Sequence, residues 1–115
     1  PVNMMWKKTW LKRKKLFKDD CETLKINKKN IITEIGNKIK NYRDVQGQYM
    51  GIFYISKEIN LSFKKLFEKK SKNKKVHITF FLNSIKKVFD IFCIKCSDYW
   101  YEFDDYDDYT NFFRK

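Results

Sequence analysis

The spacing of apolar residues along the chain predicts four helices. Apolar and aromatic side chains recur every three or four residues over 4–17, 56–70 and 78–88, a spacing typical of amphipathic helices. Ser56 is a suitable N-cap for the second of these helices. A fourth helix is predicted near the C-terminus, capped by Asp104 or Asp105, with an acidic first turn that the helix dipole favours.

Runs of β-prone residues between these helices predict strands. Two of them, 22–26 and 31–35, are joined by Asn27-Lys-Lys-Asn30 and predict a hairpin, with Gly36 ending its second strand. Three more runs predict single strands: 52–55, 91–94 and 99–103. The run 52–55 is the strongest candidate for a buried strand. Strands interleaved with helices indicate an α/β fold.

Length and composition favour one small folded domain over residues 1–115. Aromatic residues make up 18% of the 115 residues, which argues against a disordered tail, and no apolar run approaches the length of a membrane-spanning helix. We therefore expect a cytoplasmic protein with no membrane contact and with reduced thiols. The net charge of +12 comes almost entirely from lysine, since only Arg13, Arg43 and Arg114 are arginine. That composition is typical of AT-rich coding, and scarce arginine makes nucleic acid an improbable partner.

The charge is unevenly spread along the chain. Residues 97–115 carry six carboxylates against two basic side chains, a net −4, which leaves +16 for the remainder. An acidic spot facing basic walls suits a metal ion bound to a phosphorylated substrate.

Four segments, taken in order, resemble a known family. They are Trp6, Trp10 and Arg13 followed by Asp20-Cys-Glu22; Glu34-Ile-Gly-Asn-Lys38; Gly47-Gln-Tyr-Met-Gly51 with an apolar run after it; and Trp100-Tyr-Glu-Phe-Asp-Asp105. This order resembles the second half of bacterial nucleotidyltransferases of the phosphocholine cytidylyltransferase and sugar nucleotidyltransferase kind. The resemblance implies part of a glycosyltransferase-A-like mixed sheet with flanking helices. The glycine-rich loop that binds the triphosphate in that family is missing, so we expect the C-terminal, acceptor-side portion, with the nucleotide-binding half absent.

The resemblance also implies a site. Glu102 and Asp104 are predicted to alternate along a strand, which would put both carboxylates on one face as Mg²⁺ ligands. Asp104 could instead cap the last helix. The implied substrate-binding residues are Glu34, Lys38, Gln48, Tyr49, Trp6 and Trp10. Trp6 and Trp10, with Tyr101, could form an aromatic box for a quaternary ammonium group, although aromatics at helical spacing are also typical core residues. No catalytic side chain is assigned.

Two functions follow as hypotheses. In the first, the chain belongs to an enzyme that transfers a nucleotidyl group from an NTP, with CTP as the candidate, to a phosphorylated acceptor such as phosphocholine or a sugar phosphate. Alone it would have negligible activity, and a partner polypeptide or a second copy would cover its exposed surface. In the alternative, the lysine excess and interleaved aromatics such as Phe53 and Phe80 form a small basic module that binds nucleic acid or a protein partner.

Overall fold

The computed structural model describes residues 1–11, 21–72 and 75–113, and it shows a mixed α/β fold with flanking helices. The described elements are, in chain order, β1 (Val2–Asn3), α1 (Trp6–Trp10), β2 (Glu22–Ile26), β3 (Ile32–Lys38), a 3₁₀ turn (Tyr42–Asp44), β4 (Gln48–Tyr49), α2 (Asn60–Ser71), α3 (Ile78–Ile85), β5 (Lys95–Cys96) and α4 (Tyr106–Phe113). The predicted first helix is confirmed over α1, and its continuation through 12–17 falls outside the described residues.

The predicted hairpin is confirmed as the antiparallel pair β2 and β3. The Asn27 side-chain oxygen closes its turn by accepting from the backbone N–H groups of Lys29 and Ile31, at 2.9 and 3.0 Å. Asn30 takes the left-handed backbone conformation, with φ 59°, that asparagine tolerates better than most residues. The turn is therefore specified by local side-chain chemistry.

Gly36 was predicted to end the second strand of the hairpin. This prediction is wrong, because β3 continues to Lys38. The glycine instead lets α3 approach closely. A Cβ at Gly36 would lie 2.8 Å from the Thr79 carbonyl carbon, and the φ of +80° is one that side chains other than glycine rarely adopt. The glycine thus fixes where α3 begins against the hairpin.

The second sheet is small and mixed. Its order is β4-β1-β5, with β1 antiparallel to β4 and parallel to β5. The predicted strand 91–94 is wrong except for an isolated bridge between Phe92 and Ile31. The segment that pairs with β1 is instead β5, Lys95–Cys96. The Ile94 and Cys96 carbonyls accept hydrogen bonds from the Val2 and Met4 N–H groups, both at 2.8 Å.

The predicted buried strand 52–55 is also wrong, because that run is irregular and exposed. Ile52 and Tyr54 are 59% and 86% exposed. Pairing along β4 ends where Met50 N–H donates to the Pro1 carbonyl at 3.4 Å, and Gly51 then turns the chain with φ +76°. No strand within residues 1–11, 21–72 and 75–113 pairs with the run, and its apolar composition alone does not bury it.

The core divides into two clusters. The larger surrounds Phe81 of α3, which is fully buried among side chains of β2 and β3 such as Leu24 and Ile35. The smaller consists of Trp6, Trp10, Cys21, Ile39 and Val45. The hairpin therefore has one face against α3, while α1 packs in a separate aromatic cluster.

The remaining helices differ in their caps. The helix α2 begins at Asn60 and not after Ser56, with Ile59 as an N-cap that makes no side-chain capping bond. The cap of α4 agrees with prediction, since the Asp105 carboxylate accepts from Asp108 N–H at 2.8 Å.

The predicted strand 99–103 is wrong, since that stretch is irregular. Within the described ranges, no helix is long and apolar enough to cross a membrane.

Candidate functional site

A cavity of about 330 Å³ opens where β4, the start of β2, the start of α3 and the segment before α4 meet. Five of the eight residues predicted to bind substrate or metal line it: Trp10, Gln48, Tyr49, Glu102 and Asp104. Its volume is at the small end of the range for small-molecule pockets. The fold thus brings together side chains that are far apart in the sequence.

The position of β4 is set by Gly47. Pairing with β1 places Gln48 opposite Asn3 and Tyr49 opposite Val2. A Cβ at Gly47 would lie 2.4 Å from the Val2 side chain, so β4 reaches this position only with glycine there. Gln48 and Tyr49 are therefore held at the cavity by strand pairing.

Two hydrogen bonds link Trp10, Gln48 and Glu102, which all line the cavity. The Trp10 indole N–H donates to the Gln48 side-chain oxygen at 3.2 Å, and the Gln48 amide nitrogen donates to Glu102 Oε2 at 3.5 Å. Because an indole N–H can only donate, the Gln48 oxygen must face Trp10 and its NH₂ group must face Glu102. The buried Trp10 thus orients Gln48, and Gln48 in turn contacts one carboxylate oxygen of Glu102. The Glu102 side chain is otherwise exposed.

Glu102 and Asp104 both reach the cavity, although not from a strand. The segment that carries them is irregular, and it is tied to α1 by the Thr9 hydroxyl, which donates to the Trp100 carbonyl at 3.1 Å. Over residues 1–11, 21–72 and 75–113, no group of three or more His, Cys, Asp or Glu side chains could hold a metal ion. Among the described residues, Glu102 and Asp104 are therefore not grouped with a third His, Cys, Asp or Glu that could complete a metal site.

Tyr49 contributes its ring to the cavity and to the core. Its hydroxyl is buried and has no hydrogen-bond partner among the described residues. Burial raises the pKa of this phenol, so the hydroxyl stays protonated at neutral pH. The hydroxyl oxygen has almost no accessible surface, so a ligand in the cavity would meet the ring and not the hydroxyl.

Replacing Tyr49 by phenylalanine is expected to stabilise the protein by about 1 kcal/mol, because it removes a buried polar group with no partner while keeping the ring. Chemical denaturation of the variant measures this change. Tyr54, which is 86% exposed, provides the control, and Tyr54→Phe should leave stability unchanged. A loss of stability in Tyr49→Phe would show that the hydroxyl is satisfied after all.

The other three predicted residues lie outside this cavity. The Glu34 carboxylate accepts from the Asn37 amide at 3.1 Å and pairs with Lys25 Nζ at 3.0 Å, and these contacts lower its pKa, the Asn37 hydrogen bond most. Lys38 is exposed at the end of β3, opposite Glu22. Trp6 is 3% exposed within the smaller core cluster, with Lys7 Nζ 5.7 Å from its ring.

The structure does not assemble the predicted aromatic box. Trp6 and Trp10 pack into the core, as aromatics at helical spacing commonly do, and Tyr101 meets Phe112 edge-on with ring centroids 4.1 Å apart. The three rings do not surround a common space at the cavity, because only Trp10 lines it. The Trp10 ring is 6% exposed, and its N–H group donates to Gln48.

The wall formed by the start of α3 was not predicted from the sequence. Ile78 and Thr79 line the cavity there, and Glu22 and Thr23 line it from the start of β2. The signal that could have found this wall is Gly36, because a glycine inside a β-prone run often marks a close approach of another backbone. That approach is the one to Thr79.

Comparison of the chain with protein-family models, with curated proteins and with solved structures found no match.

Proposed function

We propose that this chain is the acceptor-side portion of a nucleotidyltransferase. In that role it binds a small phosphorylated acceptor, such as phosphocholine or a sugar phosphate, while the NTP is held by residues that this chain does not contain. The observation that carries the proposal is the meeting of Gln48, Glu102 and Asp104 at one cavity, from segments that are more than fifty residues apart. These are residues of two segments that resemble the family.

Glu102 and Asp104 have the ligand type that Mg²⁺ prefers, carboxylate oxygen. Magnesium in enzymes of phosphate chemistry is often held by one or two carboxylates, with water and substrate phosphates completing the octahedron. Glu102 and Asp104 provide two such ligands at the edge of the cavity, exposed to the solvent from which the remaining ligands would come. When bound there, the ion would neutralise charge on the phosphate oxygens of the reacting groups.

The part that this chain performs is binding and orientation. Gln48 holds the Glu102 carboxylate through the hydrogen bond from its NH₂ group, and Trp10 in turn holds Gln48. The start of α3 adds the positive end of a helix dipole to another wall of the same cavity, which favours an anionic group. In the reaction, an acceptor phosphate oxygen attacks the α-phosphorus of the NTP, and pyrophosphate leaves.

The proposal is tested by NMR titration of the labelled chain with phosphocholine, with and without MgCl₂. The indole N–H resonance of Trp10 is the reporter, because this group is bonded to Gln48 at the cavity, and the indole of Trp6 is the internal reference. We expect a saturable shift at Trp10 that is larger with Mg²⁺, and we expect Glu102→Gln/Asp104→Asn to remove the Mg²⁺-dependent part.

The matched control is Asp98→Asn/Asp107→Asn, which removes two charges from exposed carboxylates of the same region that do not line the cavity. It should leave the shift unchanged. A Trp10 resonance that does not move at saturating acceptor, or a control that behaves like the Glu102/Asp104 variant, would refute the proposed site. Pyrophosphate release from NTP by the isolated chain would refute the assignment to the acceptor side alone.

A further inference from the structure

Aromatic side chains form a connected series over residues 99–113, in which Tyr101 and Phe112 are half-buried and the other rings are exposed. Its members are joined by ring contacts, from Tyr99 through Tyr101 and Phe112 to Phe113, Tyr109 and Tyr106, with centroid separations between 4.1 and 6.4 Å. Tyr99 and Tyr106 are each 77% exposed, and Phe113 is 61% exposed. We name this surface, together with the exposed side chains of Asp98 just before it and Asp107 within it, the acidic aromatic face.

Such a surface has the composition of an interface. Tyrosine and phenylalanine are enriched at the centres of protein interfaces, and large contiguous apolar patches are uncommon on monomers. The exposed carboxylates of Asp98 and Asp107 favour a basic partner, since like charges placed opposite each other cost several kcal/mol. The partner should therefore present lysine or arginine around an apolar centre.

The exposed side of α2 has those properties. Leu61, Lys65 and Lys69 follow one another at four-residue spacing, so they share one face of the helix. Leu61 is 73% exposed, and both lysines are exposed. We name these three residues the basic face. Lysine side chains also pack well over tyrosine rings, through their apolar stems and through cation–π attraction.

We propose that two copies of this chain associate, with the acidic aromatic face of each copy docked on the basic face of the other. Each copy carries both faces, so a two-fold arrangement makes two identical contacts and closes the assembly. The net charge of +12 opposes association over long range, but at about 0.15 M salt it is screened beyond roughly 8 Å, which leaves the local complementarity to act.

The proposal is tested by analytical ultracentrifugation of the full chain and of two charge-reversed variants. One variant, Asp98→Lys/Asp107→Lys, makes the acidic aromatic face basic, and the other, Lys65→Glu/Lys69→Glu, makes the basic face acidic. We expect the wild type to show a concentration-dependent monomer–dimer equilibrium and each variant alone to dimerise at least about tenfold more weakly.

An equimolar mixture of the two variants is the decisive sample. In the mixed pair, the contact between the two reversed faces regains opposite charges, and the other contact is native, so a heterodimer should form with about wild-type affinity. Lys28→Glu/Lys29→Glu, at the exposed hairpin turn, gives the same change of net charge as the second variant and should dimerise like the wild type.

Four results would overturn the proposal. They are a wild type that stays monomeric at all concentrations, variants that self-associate as well as the wild type, a mixture that forms no heterodimer, and an open-ended series of larger species in place of a dimer. Circular dichroism of each variant establishes that the helices are retained. The result is independent of the acceptor titration, since neither double variant changes a residue that lines the cavity.

Discussion

Replacing Phe81 by alanine is expected to lower the free energy of unfolding by about 3–5 kcal/mol. The side chain is 0% exposed at the centre of the larger core cluster, and the rings of Phe63 and Phe67 from α2 meet it edge-on at 5.2 and 5.1 Å. Removing the ring forfeits its burial and leaves a cavity between α2, α3 and the hairpin. Since small domains have total stabilities of about 5–15 kcal/mol, this loss is a large fraction of the total free energy of unfolding.

Phe80 is the matched control, because it is the neighbouring residue of α3 and is 56% exposed. Phe80→Ala should change the stability by less than about 1 kcal/mol. Urea denaturation followed by far-UV circular dichroism measures both variants. Equal losses at the two positions would mean that α3 does not present Phe81 to the core as described.

The second large effect is expected from Gly36→Ala. The left-handed backbone conformation costs an alanine roughly 1–2 kcal/mol, and the new methyl group would lie 2.8 Å from backbone of Thr79, so displacement of α3 adds about 1–3 kcal/mol. Because Thr79 lines the cavity, the same displacement should weaken acceptor binding as well as stability. Denaturation measures the first effect and the Trp10 titration measures the second.

Gly51→Ala separates the two causes. Gly51 also has a positive φ, +76°, but a Cβ there meets nothing within 4 Å. This control should lose only the backbone part, roughly 1–2 kcal/mol. If Gly36→Ala were no more damaging than Gly51→Ala, the close contact between β3 and α3 would be refuted.

The elements that sequence analysis predicted well are those whose cause is local. The hairpin turn depends on Asn27 and Asn30, which act within four residues, and α3 depends on apolar spacing that places Phe81, Leu82 and Ile85 on a buried face. The cap of α4 by Asp105 is equally local. In each case the residues that specify the element are within the element or next to it.

The predictions that failed concerned elements that depend on a partner. The run 52–55 has strand composition, but the pairing of β4 with β1 ends at Met50, and no strand among the described residues pairs with the run. The run 99–103 is rich in aromatic residues, but Tyr101 and Phe103 pack against rings of α4, and the backbone of the run is irregular. A β-prone composition predicts a strand only where a neighbouring strand pairs with it.

The residues of the candidate site were predicted in part, but their tertiary contacts were not. Gln48, Glu102 and Asp104 were identified through resemblance and chemistry, and neither spacing nor composition could reveal that they share a cavity. Glu34 was placed correctly on a strand, but its binding partners, Lys25 and Asn37, come from the same hairpin and hold it away from the cavity. Thr79 was missed because its role follows from the approach of α3 to Gly36, which is a tertiary contact.

The measurement that tests the central claim most directly is isothermal titration calorimetry of the chain with phosphocholine and, separately, with CTP, each in the presence of MgCl₂ at physiological salt. We expect phosphocholine to bind at one site and Glu102→Gln/Asp104→Asn to weaken this binding at least about tenfold, a loss of about 1.4 kcal/mol in binding free energy. We expect CTP to bind more weakly and without dependence on these two carboxylates. Tight, carboxylate-dependent binding of CTP with no binding of phosphocholine would contradict the central claim.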